Sequence, residues 1–226
     1  MTTNQGNSTT DNSYEFEEQE FEGVYGRYAI TFHDHKEVQR YRIAVFCCAI
    51  SLCGGLSQWI LFGPALAWLW LVALSISLGL ALNWIHIYLR PLHKTLQIFW
   101  ATGSLSLILM LLTLNTNSIL PSLASRPILT IALGPLFAAL TGLGFKEFFC
   151  FGRPEAIGLT ILLPIALLGH LSGLLGNSTV MTLLCIAGLL LLVMATRKFG
   201  MSTAADVGDK SVFEYMKNPE SEIKTL

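Results

Sequence analysis

The sequence predicts an all-α fold: a polytopic membrane helical bundle of six transmembrane helices with both termini inside. Three observations predict it. First, the 226 residues are 53% hydrophobic and 13% charged, about half the roughly 25% charge of soluble domains. Second, only seven Lys, Arg, Asp or Glu occur between Ile43 and Thr196, and all seven fall in gaps between apolar runs. Third, with six spans, thirteen of the fourteen Lys and Arg lie on one side and only Arg126 on the other. That asymmetry places both termini on the cytoplasmic (or stromal) side. A span more or a span fewer scatters the charges over both sides.

Residues 1–24 read as a disordered acidic tail. Glu15, Glu17, Glu18, Glu20 and Glu22 interleave with Tyr14, Phe16 and Phe21, and no Leu, Ile or Val precedes residue 23. So little apolar surface does not offset the entropy of ordering. No basic segment followed by an apolar core opens the chain, so no cleavable signal is expected.

A membrane domain is expected over 25–199. Tyr28, Ile30 and Phe32 alternate with Arg27, Ala29 and Thr31, the pattern of a short strand. Asp34-His35-Lys36-Glu37 has the spacing of a capping box, leading into a first span at 43–62. His33 and His35, two apart in this polar approach, read as exposed side chains rather than a metal site. Pro64 suits the start of the second span, 66–89, and Pro91 is read as ending it by forcing Arg90 out of helical geometry. The remaining spans are 95–114, 128–145 with Pro135 inside, 157–175 with Pro164 inside, and 179–196. Each run of 18 to 24 residues suffices to cross about 30 Å at about 1.5 Å per residue. Residues 200–226 form a polar C-terminal tail. Trp59, Trp68 and Trp70 fall near one interface and Trp84 and Trp100 near the other.

Lipid supplies no hydrophobic drive between helices, so contacts are expected at small residues spaced by four. Four rows have that spacing: Cys47/Ser51/Gly55, Ala73/Ser77/Ala81, Gly134/Ala138/Gly142 and Gly169/Gly173. The five cysteines form no CxxC pair and read as small packing thiols, not a disulfide framework.

Three candidate sites stand out. His170 is a polar residue inside the fifth span and needs a partner there. The bland reading is an imidazole bonded to a neighbouring helix; axial ligation or a proton relay are the sharper ones. Asn83, His86 and Arg90 share one face at i, i+3 and i+7, a polar stripe at the inner interface with Lys146 and Glu147 close in depth. His86 and His170 differ in depth by roughly 15 Å on a rise of about 1.5 Å per residue, which argues against a shared iron. Between two spans, Gly144-Phe145-Lys146-Glu147-Phe148-Phe149-Cys150-Phe151-Gly152-Arg153-Pro154-Glu155 mixes aromatics with charge. Its Phe145, Phe148, Phe149 and Phe151 are a candidate docking turn. Helix is expected through Phe149, with Gly152 releasing it and Pro154 starting the next.

No catalytic motif, paired carboxylate, metal cluster or cofactor site is read, and the net charge of −1 excludes a nucleic-acid surface. The partners expected are the lipid bilayer and a larger membrane complex.

Val24-Tyr25-Gly26-Arg27-Tyr28, Glu37-Val38-Gln39-Arg40-Tyr41-Arg42 and Gly144-Phe145-Lys146-Glu147-Phe148-Phe149-Cys150-Phe151 resemble an uncharacterised family of integral membrane proteins in cyanobacteria and plastid-bearing organisms. The resemblance implies a plasma or thylakoid membrane and carries over no catalytic residue. The leading function class is a non-enzymatic accessory or assembly component of a membrane complex. A small-solute or ion carrier is the alternative, motivated by the two intrahelical prolines and the polar stripe. A membrane enzyme or a pigment or haem binder is the third.

Overall fold

The computed structural model describes residues 19–85, 87 and 90–217. Seven helices follow in order: α1 (Phe32–Phe62), α2 (Ala67–Trp84), α3 (Arg90–Thr113), the short α4 (Ile119–Ser125), α5 (Thr130–Phe151), α6 (Pro154–Leu171) and α7 (Asn177–Lys198). All but α4 are long and apolar enough to cross a membrane, giving six candidate spans. Before them lie strands β1 (Gln19–Gly23) and β2 (Gly26–Ile30), and after them α8 (Thr203–Val207) and α9 (Lys210–Lys217). The chain divides into two units: Lys36–Gly208, and a smaller one built from the described residues before and after it.

In the larger unit, α3 packs on α5, α5 on α6, and α6 on α7. Helix α1 contributes a face of Tyr41, Val45, Cys48 and Leu52, with Ala44, Ala49 and Leu56 beside it, the i, i+3, i+4, i+7 stripe of a helix buried on one side. Its opposite face, including Ile43, Ile50 and Ile60, is exposed, as lipid contact requires. Close approaches occur where a side chain is missing. Gly54 and Gly55 receive Trp70, Gly79 receives Trp100, Gly142 receives Leu96, and Gly103 lies against the backbone of Leu136. Of the rows expected from spacing, Gly55 and Gly142 meet side chains of other helices, Gly169 meets Leu175 of the turn after its own helix, and Gly134 faces open space. Gly173 lies beyond α6 with φ +71.

Three helix ends differ from the hydropathy reading. Helix α2 stops at Trp84, and Ile85 leaves helical geometry at φ −73 and ψ 131. Pro91 does not follow that helix; it is the second residue of α3, a first-turn position where its missing amide costs nothing. Asn83 and Arg90 therefore lie on different helices, and the one-face stripe does not form. His86 lies outside the described residues. Helix α6 ends at Leu171, because Gly173 takes left-handed geometry and turns the chain back, with Leu175 N–H donating to Gly169 O at 3.0 Å. The apolar run to Leu175 continues past the helix that it was taken to mark.

The smaller unit corrects the reading of the N-terminal tail at residues 19–23. β1 pairs antiparallel with β2 in the register Phe21↔Tyr28 and Glu22↔Arg27, so residues 19–23 are strand rather than disordered tail. A stacked aromatic pair, with centroids 5.7 Å apart, and opposite charges across the ladder supply what the acidic composition concealed. Asp209 Oδ2 accepts from Val24 N–H at 2.7 Å and Ser211 Oγ accepts from Tyr25 N–H at 3.0 Å. Lys210 Nζ donates to Asp34 at 2.8 Å, and Tyr25 stacks on Tyr215. The capping box closes three residues earlier than its expected position: Asp34 Oδ2 accepts from both Thr31 N–H (2.7 Å) and Thr31 Oγ1 (2.8 Å).

Candidate functional site

Where α1 begins its buried face and α5 and α7 end, five charged groups and a tyrosine converge. Glu147 of α5, fully buried, accepts from the Tyr41 hydroxyl of α1 at 2.5 Å on Oε1 and from Lys198 Nζ of α7 at 2.7 Å on Oε2. Lys198, also fully buried, reaches Asp206 Oδ1 of α8 at 2.6 Å. Arg42 of α1 holds the other Asp206 oxygen through Nε at 2.7 Å and Nη2 at 2.6 Å, and donates to Ser202 O at 3.0 Å. Lys146 completes the group at 3.3 Å from Glu147 Oε1.

Aromatic faces replace water around the two lysines. Lys198 Nζ stands 5.0 Å from the Tyr41 ring centre and 4.8 Å from that of Phe151; Lys146 Nζ stands 5.3 and 5.1 Å from the same two rings. Each such contact contributes ~0.5–2 kcal/mol, more as the cation is desolvated. A buried charge is tolerated only when paired and hydrogen-bonded, and Lys198 has both carboxylates and both ring faces. Replacing Tyr41 with Phe keeps the ring and removes the donor. The expected result is a loss of ~1–3 kcal/mol, read as a lowered unfolding midpoint in mild detergent, with expression retained.

A second, smaller ion group lies at the start of α6. Pro154 occupies its first position, and Glu155 follows in the first turn, where its charge suits the dipole. Glu155 accepts from Arg197 Nη1 at 3.0 Å and from Arg153 Nη1 at 3.4 Å, tying the start of α6 to the end of α7.

Of the residues singled out in the sequence, Lys146 and Glu147 sit in this cluster. Asn83 and Arg90 are exposed and have no bond to either. Helix α5 runs through Phe145, Phe148 and Phe149 to Phe151, with Gly152 as its left-handed cap at φ 61. The four rings divide. Phe145 and Phe149 stack with centroids 6.1 Å apart on the exposed side, Phe148 packs against the core, and Phe151 faces the two lysines.

His170 lies at the other end of the bundle, one residue before the end of α6, not mid-span. Its Nε2–H donates to Leu123 O of α4 at 3.0 Å, and Asn177 Nδ2 donates to Ala124 O at 3.2 Å. Together they hold the last carbonyls of α4, a short helix whose Ile119 and Leu120 are buried in the bundle. This is the neighbouring-helix bond. Substituting His170 with Ala is expected to cost ~1–3 kcal/mol through the unpaired carbonyl, while the visible spectrum of the purified protein stays flat before and after. A Soret or chlorophyll band lost in the variant gives the opposite answer.

Tyr41, Arg42, Lys198 and Asp206 were not singled out as site residues by sequence reasoning. Tyr41 and Arg42 entered only within the stretch that carries the family resemblance, Arg42 and Lys198 as flanking positive charges, and Asp206 as part of a polar tail. Among the described residues no group of three His, Cys, Asp or Glu is placed to hold a metal. The cluster locks four chain segments together, α1, α5, α7 and α8, and carries more positive than negative charge.

A family profile described as "Uncharacterized integral membrane protein (DUF2301)" matches residues 80–215, which include α3 to α8 and four of the cluster's six residues. No curated protein and no solved structure matches the chain.

Proposed function

The chain belongs to this family of uncharacterized integral membrane proteins, and from that premise we propose that it is a non-enzymatic accessory or assembly component of a larger membrane complex. The observation that carries the reading is where charge is buried. The buried acids and bases among the described residues are Asp34, Arg42, Lys146, Glu147, Glu155, Lys198 and Asp206, none of them in the middle of a span. Between the cluster and His170 the core is Leu136, Leu140, Leu143, Leu159, Leu163 and Leu191, each fully buried. The buried hydroxyls at mid-span include Ser75, bonded to Ser104 at 2.7 Å, and Ser77, bonded to Ala73 O at 2.8 Å, whereas an ion carrier commonly places ionisable groups at that depth and breaks its helices there. Here α5 and α6 run unbroken through Pro135 and Pro164, which favours a fixed scaffold over a moving one.

The surface offered to a partner is the one at the cluster, with the stacked Phe145 and Phe149 beside it. By the positive-inside count, this face is cytoplasmic or stromal, and the family resemblance supports a plasma or thylakoid membrane of a photosynthetic organism. The expected result on a native gel in mild detergent is migration with a complex well above the monomer, lost when Phe145 and Phe149 are both replaced by Ala. Migration of the native protein only as a monomer or small homo-oligomer, together with counterflow of any solute in proteoliposomes, hands the assignment to transport.

A further inference from the structure

A cleft of about 340 Å³ opens beside the ionic cluster, bounded by Lys146 and Asp206 on one side and by Leu92, Phe145, Phe149 and Val207 on the others. Charge, depth and wall chemistry together decide what fits. Three cations, Arg42, Lys146 and Lys198, meet two carboxylates, Glu147 and Asp206, so the cluster carries one net positive charge. That charge is not shared evenly. Asp206 already pairs with Arg42 and Lys198, one through each oxygen, and Lys198 bridges both acids. Among the described residues Lys146 meets a single hydrogen-bond acceptor, Glu147 Oε1, at 3.3 Å, and that oxygen also receives the shorter Tyr41 hydroxyl bond. An ammonium has three donors. Beside the Tyr41 and Phe151 ring faces, Lys146 thus keeps donor capacity that its one hydrogen bond does not use, and it is only 5% exposed while lining the cleft.

The rest of the wall is apolar and leads outward. Phe149 is 75% exposed, and with Phe145 it makes a stacked ridge on the exposed side of α5. The volume is at the small end of the ~300–1,000 Å³ usual for ligand pockets, so it suits a headgroup rather than a whole lipid. We propose that this cleft binds the acidic headgroup of a membrane lipid, an anionic oxygen accepting from Lys146 Nζ and the acyl chains lying along Phe145 and Phe149. The lipid's negative charge neutralises the cluster, and a charge-assisted bond out of water is among the stronger ones available.

The test uses full-length protein, purified and delipidated in neutral detergent, and read by native mass spectrometry and thermal unfolding. The probes are phosphatidylglycerol, phosphatidylcholine and soluble glycerol 3-phosphate. Phosphatidylglycerol is expected to bind with defined stoichiometry and raise the midpoint; the other two are expected to do neither. Lys146→Gln is expected to weaken binding roughly tenfold or more, for loss of a charged hydrogen bond. Ala205→Trp fills the mouth of the cleft from an exposed position outside the ionic cluster and is expected to abolish it. Should Lys146→Gln fail to fold, Ala205→Trp decides alone. Equal retention of phosphatidylglycerol and phosphatidylcholine, or undiminished binding in Ala205→Trp, overturns the site. Binding of glycerol 3-phosphate as tight as that of the lipid overturns the lipid as its occupant.

Discussion

Replacing Lys198 with Ala is expected to destabilise the bundle by ~3–5 kcal/mol, the cost of breaking a buried charge pair by deleting one partner. The size follows from what remains behind. Glu147 loses the cation on Oε2 and keeps the Tyr41 hydroxyl and the long contact to Lys146; Asp206 keeps only Arg42. Two carboxylates then sit in a site lined by aromatic rings, with one lysine's worth of volume empty between them. Unfolding followed in mild detergent should show the loss directly, and expression should fall with it. The discriminating variant neutralises the whole cluster: Lys198→Met, Glu147→Gln and Asp206→Asn together with Arg42→Gln and Lys146→Met, so that no buried charge is left without a partner. Replacing a buried ionic group as a whole by neutral groups of similar size is often close to neutral, so this combined variant should recover most of what Lys198→Ala loses. A Lys198→Ala protein within about 0.5 kcal/mol of the native one, the range of an ordinary surface change, would falsify the buried network as a source of stability.

The family-level description was legible because it rests on quantities that a sequence displays directly. Run length, charge depletion and the position of Arg126 against the other bases are one-dimensional facts, and six candidate spans follow from them. Helix ends were less legible, because hydropathy measures greasiness, not hydrogen bonding. Leu174 and Leu175 continue an apolar run that the left-handed Gly173 has already taken out of the helix. Pro91 signals a boundary correctly in either reading, and only the geometry says that it opens α3.

The site was least legible. Glu147 could be noticed, as an acid beside a lysine in aromatic text. Its partners, however, lie 106 positions away at Tyr41 and 51 away at Lys198, and Arg42 finds Asp206 across 164 positions. No periodicity reports such distances. One weak signal was available: an acid in apolar surroundings requires a cation at its own depth, and the bases flanking the first and last spans were at that depth. Counting them for orientation left their pairing unasked. The hairpin was hidden for the complementary reason, since composition averaged five glutamates with the aromatic residue that pairs across the ladder.

Gly103→Leu is expected to be the most damaging change at a helix crossing, costing more than the ~1–3 kcal/mol usual for overpacking. α3 and α5 meet where Gly103 has no side chain, and a Cβ placed there would land on the backbone nitrogen and Cα of Leu136. Backbone cannot rotate aside as a side-chain tip can. Even Ala must push the two helices apart, so Gly103→Ala should already lower the midpoint, and Leu should lower expression. Gly134, two residues before Leu136 on α5, gives the control: a Cβ there meets nothing within 4 Å. Gly134→Ala should therefore match or exceed the native stability, since Ala is favoured over Gly in a helix by ~1 kcal/mol. The comparison separates a contact reason from a propensity reason at two helical glycines, one in a close crossing and one facing open space. Equal, mild effects at both would mean that α3 and α5 are free to slide, and the close approach of Gly103 to Leu136 would not be a constraint on the bundle.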